Sequence, residues 1–419
     1  MDFTPEELRE RRRKFTVAME GCFPGWDTAI IMDNVNQYYF TGTMQDGILL
    51  IFKDGSCLYG IRRSYDRAKM ESPFLADGEK GTGEEIVPIP SYRDLAEMDS
   101  GRRGTAGSVP GNLKGKLGNV YIEGDTMPAA ILERLQKYFE FSPTGFFDRV
   151  IRTVRSVKSP AELRWIELSG RLHREFLEDK IPGLLREGMR ETEFLGELTA
   201  EMYRLGYQGI ARFHLFQTEL ITGQIGFGAN SLYPSRFDGP GGTKGNSAAA
   251  PFSAGSERKL KKGDAVFVDI AFGMSGYHSD KTQVYFFGAE PPEEFRRAQQ
   301  FCVDLEKRIA ARLKPGEIPS KIYQDITGSL SDKELDCFMG VDNNHRVKFL
   351  GHGVGLNVDE LPLIARGFDE PLEENMVIAL EPKKGVPGIG MAGVEDTYIV
   401  KDGGGRCVTG EGGRDIIRV

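Results

Sequence analysis

The sequence predicts an α/β unit followed by an α+β unit, on three observations. The chain has 419 residues, more than one ordinary core holds, which suggests two domains. Before about residue 150, helical and strand patterns alternate, as in an α/β domain. After residue 265, two strand pairs each carry acids among apolar residues, and amphipathic helices precede them. We place the boundary between an N-terminal domain at 1–152 and a C-terminal domain at 153–419.

Thr4-Pro5-Glu6-Glu7 supplies an N-cap, a proline at the first helical position and acids in the first turn, so a helix should run to about Glu20. Ala29 to Met32 reads as a strand, and Tyr38-Tyr39-Phe40 approaches a turn at Thr41-Gly42. Gly47 to Phe52 and Ser56 to Ile61 form a hairpin across Lys53-Asp54-Gly55. A strand over Asn119 to Ile122 and a helix over Ala129 to Phe139 follow. The Gly-rich, basic stretch 99–118 reads as a mobile surface loop. This half contains no histidine, and we expect it to shape the site rather than do chemistry. Residues 150–160 form the bridge. Ser159-Pro160-Ala161-Glu162 then caps an amphipathic helix carrying Leu163, Ile166, Leu168 and Leu172, and a second helix spans Glu191 to Leu205.

The chemistry concentrates in residues 265–287, two apolar strands joined by a Gly-containing turn. Asp269 lies among Val266, Phe267, Val268 and Ile270, and Asp280 precedes Val284, Tyr285 and Phe286. A carboxylate in an apolar strand is costly unless paired, and two facing carboxylates need a proton or a cation between them. Glu381 ends the apolar run Val377 to Leu380, and Glu395 opens the strand through Tyr398 and Val400. His352 stands between glycines in Gly351-His352-Gly353-Val354-Gly355, where the backbone can approach closely. Two divalent cations would balance the four carboxylates, and an oxygen-rich set with one imidazole suits Mn, Co, Zn or Fe. The Gly-rich stretch 237–247 lacks the GxxxxGK[ST] spacing of a phosphate cradle and reads as a loop beside the site.

Composition narrows the classes. The chain is 40% hydrophobic and 28% charged, with net charge −8. Its one basic run, Arg11 to Lys14, shares a helix with Glu6, Glu7 and Glu10, so a solvated face is expected and no nucleic-acid partner. No apolar run approaches 18 residues, so no membrane span is expected, and the N-terminus lacks the apolar core of a signal peptide. Five widely spaced cysteines without a CxxC fit a reducing, cytoplasmic setting.

An Asp, a second Asp eleven positions on, GHGVG, a Glu-Pro and a Glu-Asp, in that order, resemble the pita-bread metallopeptidase family of methionine aminopeptidase, Xaa-Pro aminopeptidase, prolidase and creatinase. The resemblance covers roughly residues 155–410, with weaker similarity to the creatinase-type N-terminal domain over 1–150. It implies a pita-bread C-terminal domain whose two related halves enclose one cavity. It also implies a dinuclear hydrolase in which Asp269 and Asp280 bridge or chelate and His352 binds one metal. Glu381 would ligate and act as general base, and Glu395 would bridge the pair. The implied substrate is a peptide with proline second or a dipeptide ending in proline, and the implied assembly is a homodimer. A small non-peptide metabolite, as in creatinase, is the alternative substrate, and a metal-binding homologue without catalysis is a third reading.

The chain departs from that family at its substrate-binding histidines. The three positions carry Phe252, Lys348 and Asp359, and an arginine two residues before the last metal Glu is Gly393. Such donors are commonly worth ~10²- to 10³-fold each, so a poor Xaa-Pro peptidase is expected. Lys348 could polarise a carbonyl and Asp359 hold an amine or shuttle a proton; equally, the two could pair with each other. Phe252 would line a pocket. His278, two residues before Asp280 on a strand, shares its face and leans toward the cavity in this reading, with His214 a second candidate for substrate binding. His173 and His345 are expected at the surface.

Overall fold

The computed structural model describes residues 3–76, 83–98, 112–215, 217–218, 222–252, 254–410 and 415–419. The chain divides into two compact units at Val154/Arg155, inside the helix Asp148–Ser156. No helix among the described residues is long and apolar enough to cross a membrane.

The first unit is built on one mixed sheet of six strands: β1 (Thr28–Ile31), β2 (Gly47–Phe52), β3 (Cys57–Ile61), β4 (Glu84–Pro88), β5 (Val120–Ile122) and β6 (Pro143–Phe146). Their order is β4-β3-β2-β1-β5-β6. The first helix, Pro5–Cys22, starts where Thr4 Oγ1 accepts the Glu7 N–H. Asn34–Thr41, expected as an approach to a turn, is a helix. Part of its support is local: Asp33 Oδ1 accepts the Asn36 N–H at 3.0 Å as an N-cap, and Gly42 ends the helix in the left-handed conformation. The buried Glu123 carboxylate accepts the backbone N–H groups of Met32 and Asp33 and the Asn36 side chain, at 2.7–2.8 Å, satisfying donors just before and within the first turn. Most of the predicted loop, 99–111, lies outside the described residues. The remainder, 112–118, buries Leu113 and Leu117 in the core of this unit.

The second unit has two larger sheets. One contains β7 (Gly223–Phe227), β8 (Ala265–Met274), β9 (Tyr277–Phe286) and β17 (Ile417–Arg418) in the order β17-β9-β8-β7. The other contains β10 (Phe349–Gly353), β11 (Glu360–Ala365), β12 (Val377–Leu380), β15 (Asp396–Ile399) and β16 (Arg406–Cys407), ordered β11-β10-β12-β15-β16. A separate hairpin pairs β13 (Lys383–Val386) with β14 (Gly390–Gly393). Helices cover one face of each sheet. Val266, Val268, Ile270 and Phe272 pack with Phe194, Leu198 and Met202 of the helix Glu191–Arg204. Ile378, Leu380 and Tyr398 pack with Leu305 and Ile309 of the helix Glu293–Ala310. Alternation along a strand then sends Asp269, Asp280 and Glu395 to the opposite faces.

The helix Pro160–Glu175 begins with a capping box, Ser159 and Glu162 each serving the other's backbone. His173, expected at the surface, is fully buried. It continues the buried stripe Leu163, Ile166, Gly170 at helical spacing. Its ring stacks on Phe272 and Nδ1 lies 3.1 Å from Ser279 Oγ. His345 is exposed and pairs with Asp342 at 2.9 Å. Burial, reinforced by the Lys281 charge, holds the His173 imidazole well below the ordinary 6.5. The native state therefore resists a proton that the unfolded chain accepts. The neutral ring's contribution is complete above about pH 6.5 and is lost as pH falls toward the depressed native value. Urea midpoints should fall between pH 7 and pH 5 less steeply in His173→Phe, which keeps a ring against Phe272, than in wild type. Equal slopes would show that His173 does not carry this dependence.

Candidate metal centre

All five side chains predicted as ligands meet where the two large sheets are stitched together. The Thr282 N–H donates to the Glu395 carbonyl oxygen at 3.2 Å. Two residues away along the strand, the Asp280 N–H donates to Thr397 Oγ1 at 2.8 Å. These bonds bring Asp280 and Thr282 on β9 against Glu395, which immediately precedes β15. Asp269 faces Thr282 across the β8–β9 ladder, and Thr282 Oγ1 lies 2.8 Å from Asp269 Oδ1 and 3.1 Å from Glu395 Oε2. His352 on β10 sits opposite Ala379 of β12, and Glu381 directly follows β12.

A sixth residue lies inside the cluster. Lys383, wholly buried, places Nζ 3.0 Å from Asp269 Oδ2, 2.9 Å from Glu381 Oε2 and 2.7 Å from Glu395 Oε2. The charge count that led to two divalent cations left this lysine out. The sequence carried a signal for it: Lys383 is two residues beyond Glu381, the interval that returns a side chain to the same face of extended chain. Burial opposes its charge, and Asp269, Glu381 and Glu395 outweigh burial, holding the ammonium well above the usual lysine range.

The other oxygens of two of these carboxylates turn to His352. Its Nε2 lies 3.4 Å from Glu381 Oε1, 3.6 Å from Glu395 Oε1 and 3.9 Å from Asp280 Oδ2. Its Nδ1 lies 3.1 Å from the Gly353 carbonyl oxygen, which it serves as donor, leaving Nε2 for the gap. Four ligand atoms around an ion at about 2.1 Å stand roughly 3.4 Å apart, so the gap fits one divalent ion. Asp280, His352 and Glu395 each bring one ligand atom within 4.8 Å of the others. Glu395 Oε1 is buried and accepts no hydrogen bond among the described residues. Burial first, and then the charges of Glu395 and Asp269, push the Asp280 carboxyl well above its ordinary range. Burial opposes a charge on His352, and Glu395, Glu381 and Asp280 overcome it, raising the imidazole to about 10. The gap thus asks for positive charge, and Asp280, His352, Glu381 and Glu395 are the residues that would hold an ion there.

The residues expected to bind substrate are placed differently from one another. Lys348 is exposed, and among the described residues no ion pair joins it to Asp359, which removes the paired alternative. Asp359 instead accepts the backbone N–H groups of His214 at 2.6 Å and Leu215 at 3.1 Å, so its carboxylate fastens that segment. His214 enters these contacts through its backbone, and its side chain is half-buried. Phe252 packs edge-on against Phe237, with the Arg236 guanidinium over its ring. His278 does not lean into an open cavity; it is fully buried. Its Nδ1 lies 3.1 Å from the Gly355 carbonyl oxygen and its Nε2 2.9 Å from Gln208 Nε2. Burial lowers it to about 4. The neutral ring clasps the GHGVG turn that carries His352. Glu360, which sequence reasoning passed over, braces the same turn: it pairs with Arg155 and Lys158, and a Cβ on Gly355 would meet its Oε2 at 2.6 Å.

Acidic side chains and one imidazole, converging from two sheets on a buried gap, define a metallohydrolase type of site. Residues 164–402 match metallopeptidase family M24 and residues 11–157 match the creatinase/prolidase N-terminal domain. The chain belongs to this pita-bread metallopeptidase family and is a hydrolase of it. An Xaa-Pro dipeptidase of Pyrococcus horikoshii is 26% identical over 385 residues, 91% of this chain and 92% of that one. Among solved structures, a prolidase from Pyrococcus horikoshii OT3 has a TM-score of 0.72 at 22% identity, covering 96% of this chain and 99% of that one. Dipeptidase PepE from Mycobacterium ulcerans reaches 0.74 at 21% identity, covering 100% and 99%. The structural likeness shows the shared two-unit fold.

Proposed function

We propose that the protein is a divalent-metal-dependent peptidase acting on short peptides, with the bond before proline as the bond cleaved. The observation that carries this reading is the convergence of His352 Nε2, Asp280 Oδ2, Glu381 Oε1 and Glu395 Oε1 on one gap. Relatives named Xaa-Pro dipeptidase supply the substrate class. A bound ion supplies Lewis acidity and an acidified water. In this reading Glu381 accepts the proton of the attacking water at Oε1, and that proton goes on to the leaving amine. Lys383 and Thr282 hold Glu395 and Asp269 in place around the gap.

The positions carrying Phe252, Lys348 and Asp359 favour slow turnover of this substrate. Phe252 has no donor, Lys348 is exposed, and both Asp359 oxygens already serve backbone N–H groups. These same facts favour, as a second reading, a small non-peptide metabolite. A panel of Xaa-Pro dipeptides and tripeptides, with protein reconstituted in Mn, Co, Zn or Fe, separates the two. We expect metal-dependent cleavage with kcat/KM below ~10⁴ M⁻¹s⁻¹, the lower edge of ordinary enzymes. Absence of cleavage in metal-loaded protein would move the assignment to the second reading.

A further inference from the structure

We infer that the ammonium of Lys383 is a built-in replacement for the second metal ion, so that the centre takes one divalent cation and not two. The inference deepens the reading of the site as a metal centre, and it does not depend on which substrate the protein cleaves. The family resemblance implies a pair of ions sharing Asp269, Asp280, His352, Glu381 and Glu395. The residues present do not fit a pair. Three oxygens that would take part, Asp269 Oδ2, Glu381 Oε2 and Glu395 Oε2, surround Lys383 Nζ at 2.7–3.0 Å. An ion bonded to the same oxygens at about 2.1 Å would stand almost on top of that nitrogen, with like charges in contact.

Lys383 has no easy way to withdraw. It is wholly buried, and the chain is shaped to hold it. Lys383 pairs with Gly393 across the β13–β14 hairpin. A Cβ on Gly393 would stand 2.7 Å from both Cα and Cγ of Lys383 and 2.8 Å from the Pro382 carbonyl oxygen, so glycine is needed there both by the facing backbone and by the lysine stem. Gln299 fixes Gly393 by taking its N–H at 2.9 Å and donating to its carbonyl oxygen at 3.0 Å. Gly393 stands where the family resemblance places an arginine. The two departures therefore belong together: the large side chain at 393 is absent and a lysine reaches through the space it leaves.

Charge is compatible with this count and geometry decides it. Four carboxylates and one ammonium leave three negative charges; one divalent ion leaves one negative charge and a second would leave one positive charge. Glu381 and Glu395 each turn one oxygen to Lys383 and the other toward His352. They bridge an ammonium and a gap, as such carboxylates bridge two ions.

Metal stoichiometry of the full-length protein tests this. After loading with excess Mn²⁺ and removal of free ion, elemental analysis should give one Mn per chain, and electron paramagnetic resonance should show isolated Mn²⁺ without the exchange coupling of a pair. Lys383→Ala should take up a second Mn and acquire that coupling. Two ions in wild type, or none in folded wild type, would overturn the inference whether or not the variant folds. A folded variant that still takes one would also count against it. Protein that binds one ion and cleaves no peptide leaves the single-ion centre standing and removes the substrate reading. Protein that cleaves Xaa-Pro with two ions does the reverse.

Discussion

Glu395→Gln is expected to bind Mn²⁺ at least ~100-fold more weakly than wild type and to turn over its best substrate on the order of 10³-fold more slowly. Glu395 is the carboxylate on which both halves of the centre depend. Its Oε2 receives Lys383 and Thr282, while its Oε1 faces His352 across the gap. The amide has nearly the same shape, so packing survives, but it carries no charge and has only one acceptor atom. If its oxygen serves Lys383, an N–H₂ points at the ion. If its oxygen serves the ion, an N–H₂ points at an ammonium. Either orientation places donor against cation in a buried site. A calorimetric titration with Mn²⁺ and steady-state assays read the two effects separately. Values within tenfold of wild type for both would remove Glu395 from the centre.

Glu360→Ala should produce the largest loss of stability, roughly 3–5 kcal/mol, because it takes one shared carboxylate away from two buried cations at once. Arg155 and Lys158 are nearly inaccessible and both pair with Glu360, Lys158 Nζ at 3.3 Å from Oε2. Glu360 Oε1 also accepts the Asn357 N–H at 3.0 Å. Burial by itself would raise the Glu360 carboxyl, and the two cations overcome it and hold it below its ordinary 4.5. Its stabilising contribution is present above about pH 4.5 and is lost as pH falls through the depressed native value. The variant should therefore lose stability at pH 7 and lie closer to wild type in acid. Chemical denaturation at pH 7 and at pH 3.5 checks both parts; a uniform loss would mean that packing and not charge is responsible.

Local signals made much of the architecture legible. The helix Ala129–Phe139 and the helix starting at Pro160 carry their amphipathic pattern, and the second carries its capping box, within a few residues. The β8–β9 hairpin announced itself through apolar strands around a Gly turn, and its two carboxylates were conspicuous because apolar strands rarely carry them. What stayed hidden depends on distant partners. The helix Asn34–Thr41 carries local caps in Asp33 and Gly42, but its start is also held by Glu123, some 90 residues away. His173 reads as a polar helix residue until Ser279 and Phe272 are placed beside it. Asp359 and Lys348 are close in number, yet their partners are set by the segment 214–215 and by solvent. Lys383 was accessible to strand periodicity, but a lysine following Glu-Pro looks like ordinary surface charge until the three carboxylates around it are seen together.

Lys383 and Gly393 also constrain the order in which mutations can travel through this site. With any larger residue at 393, a Cβ meets the lysine stem at 2.7 Å, so a lysine arriving first has nowhere to lie. Glycine arriving first leaves only a space. The permitted route passes through glycine. Return is blocked twice: Gly393→Arg on its own strikes the Lys383 stem, and its Cβ also meets the Cα of residue 383 at 2.7 Å and the Pro382 carbonyl oxygen at 2.8 Å, so a second ion position reopens only when the lysine has gone and that backbone has shifted.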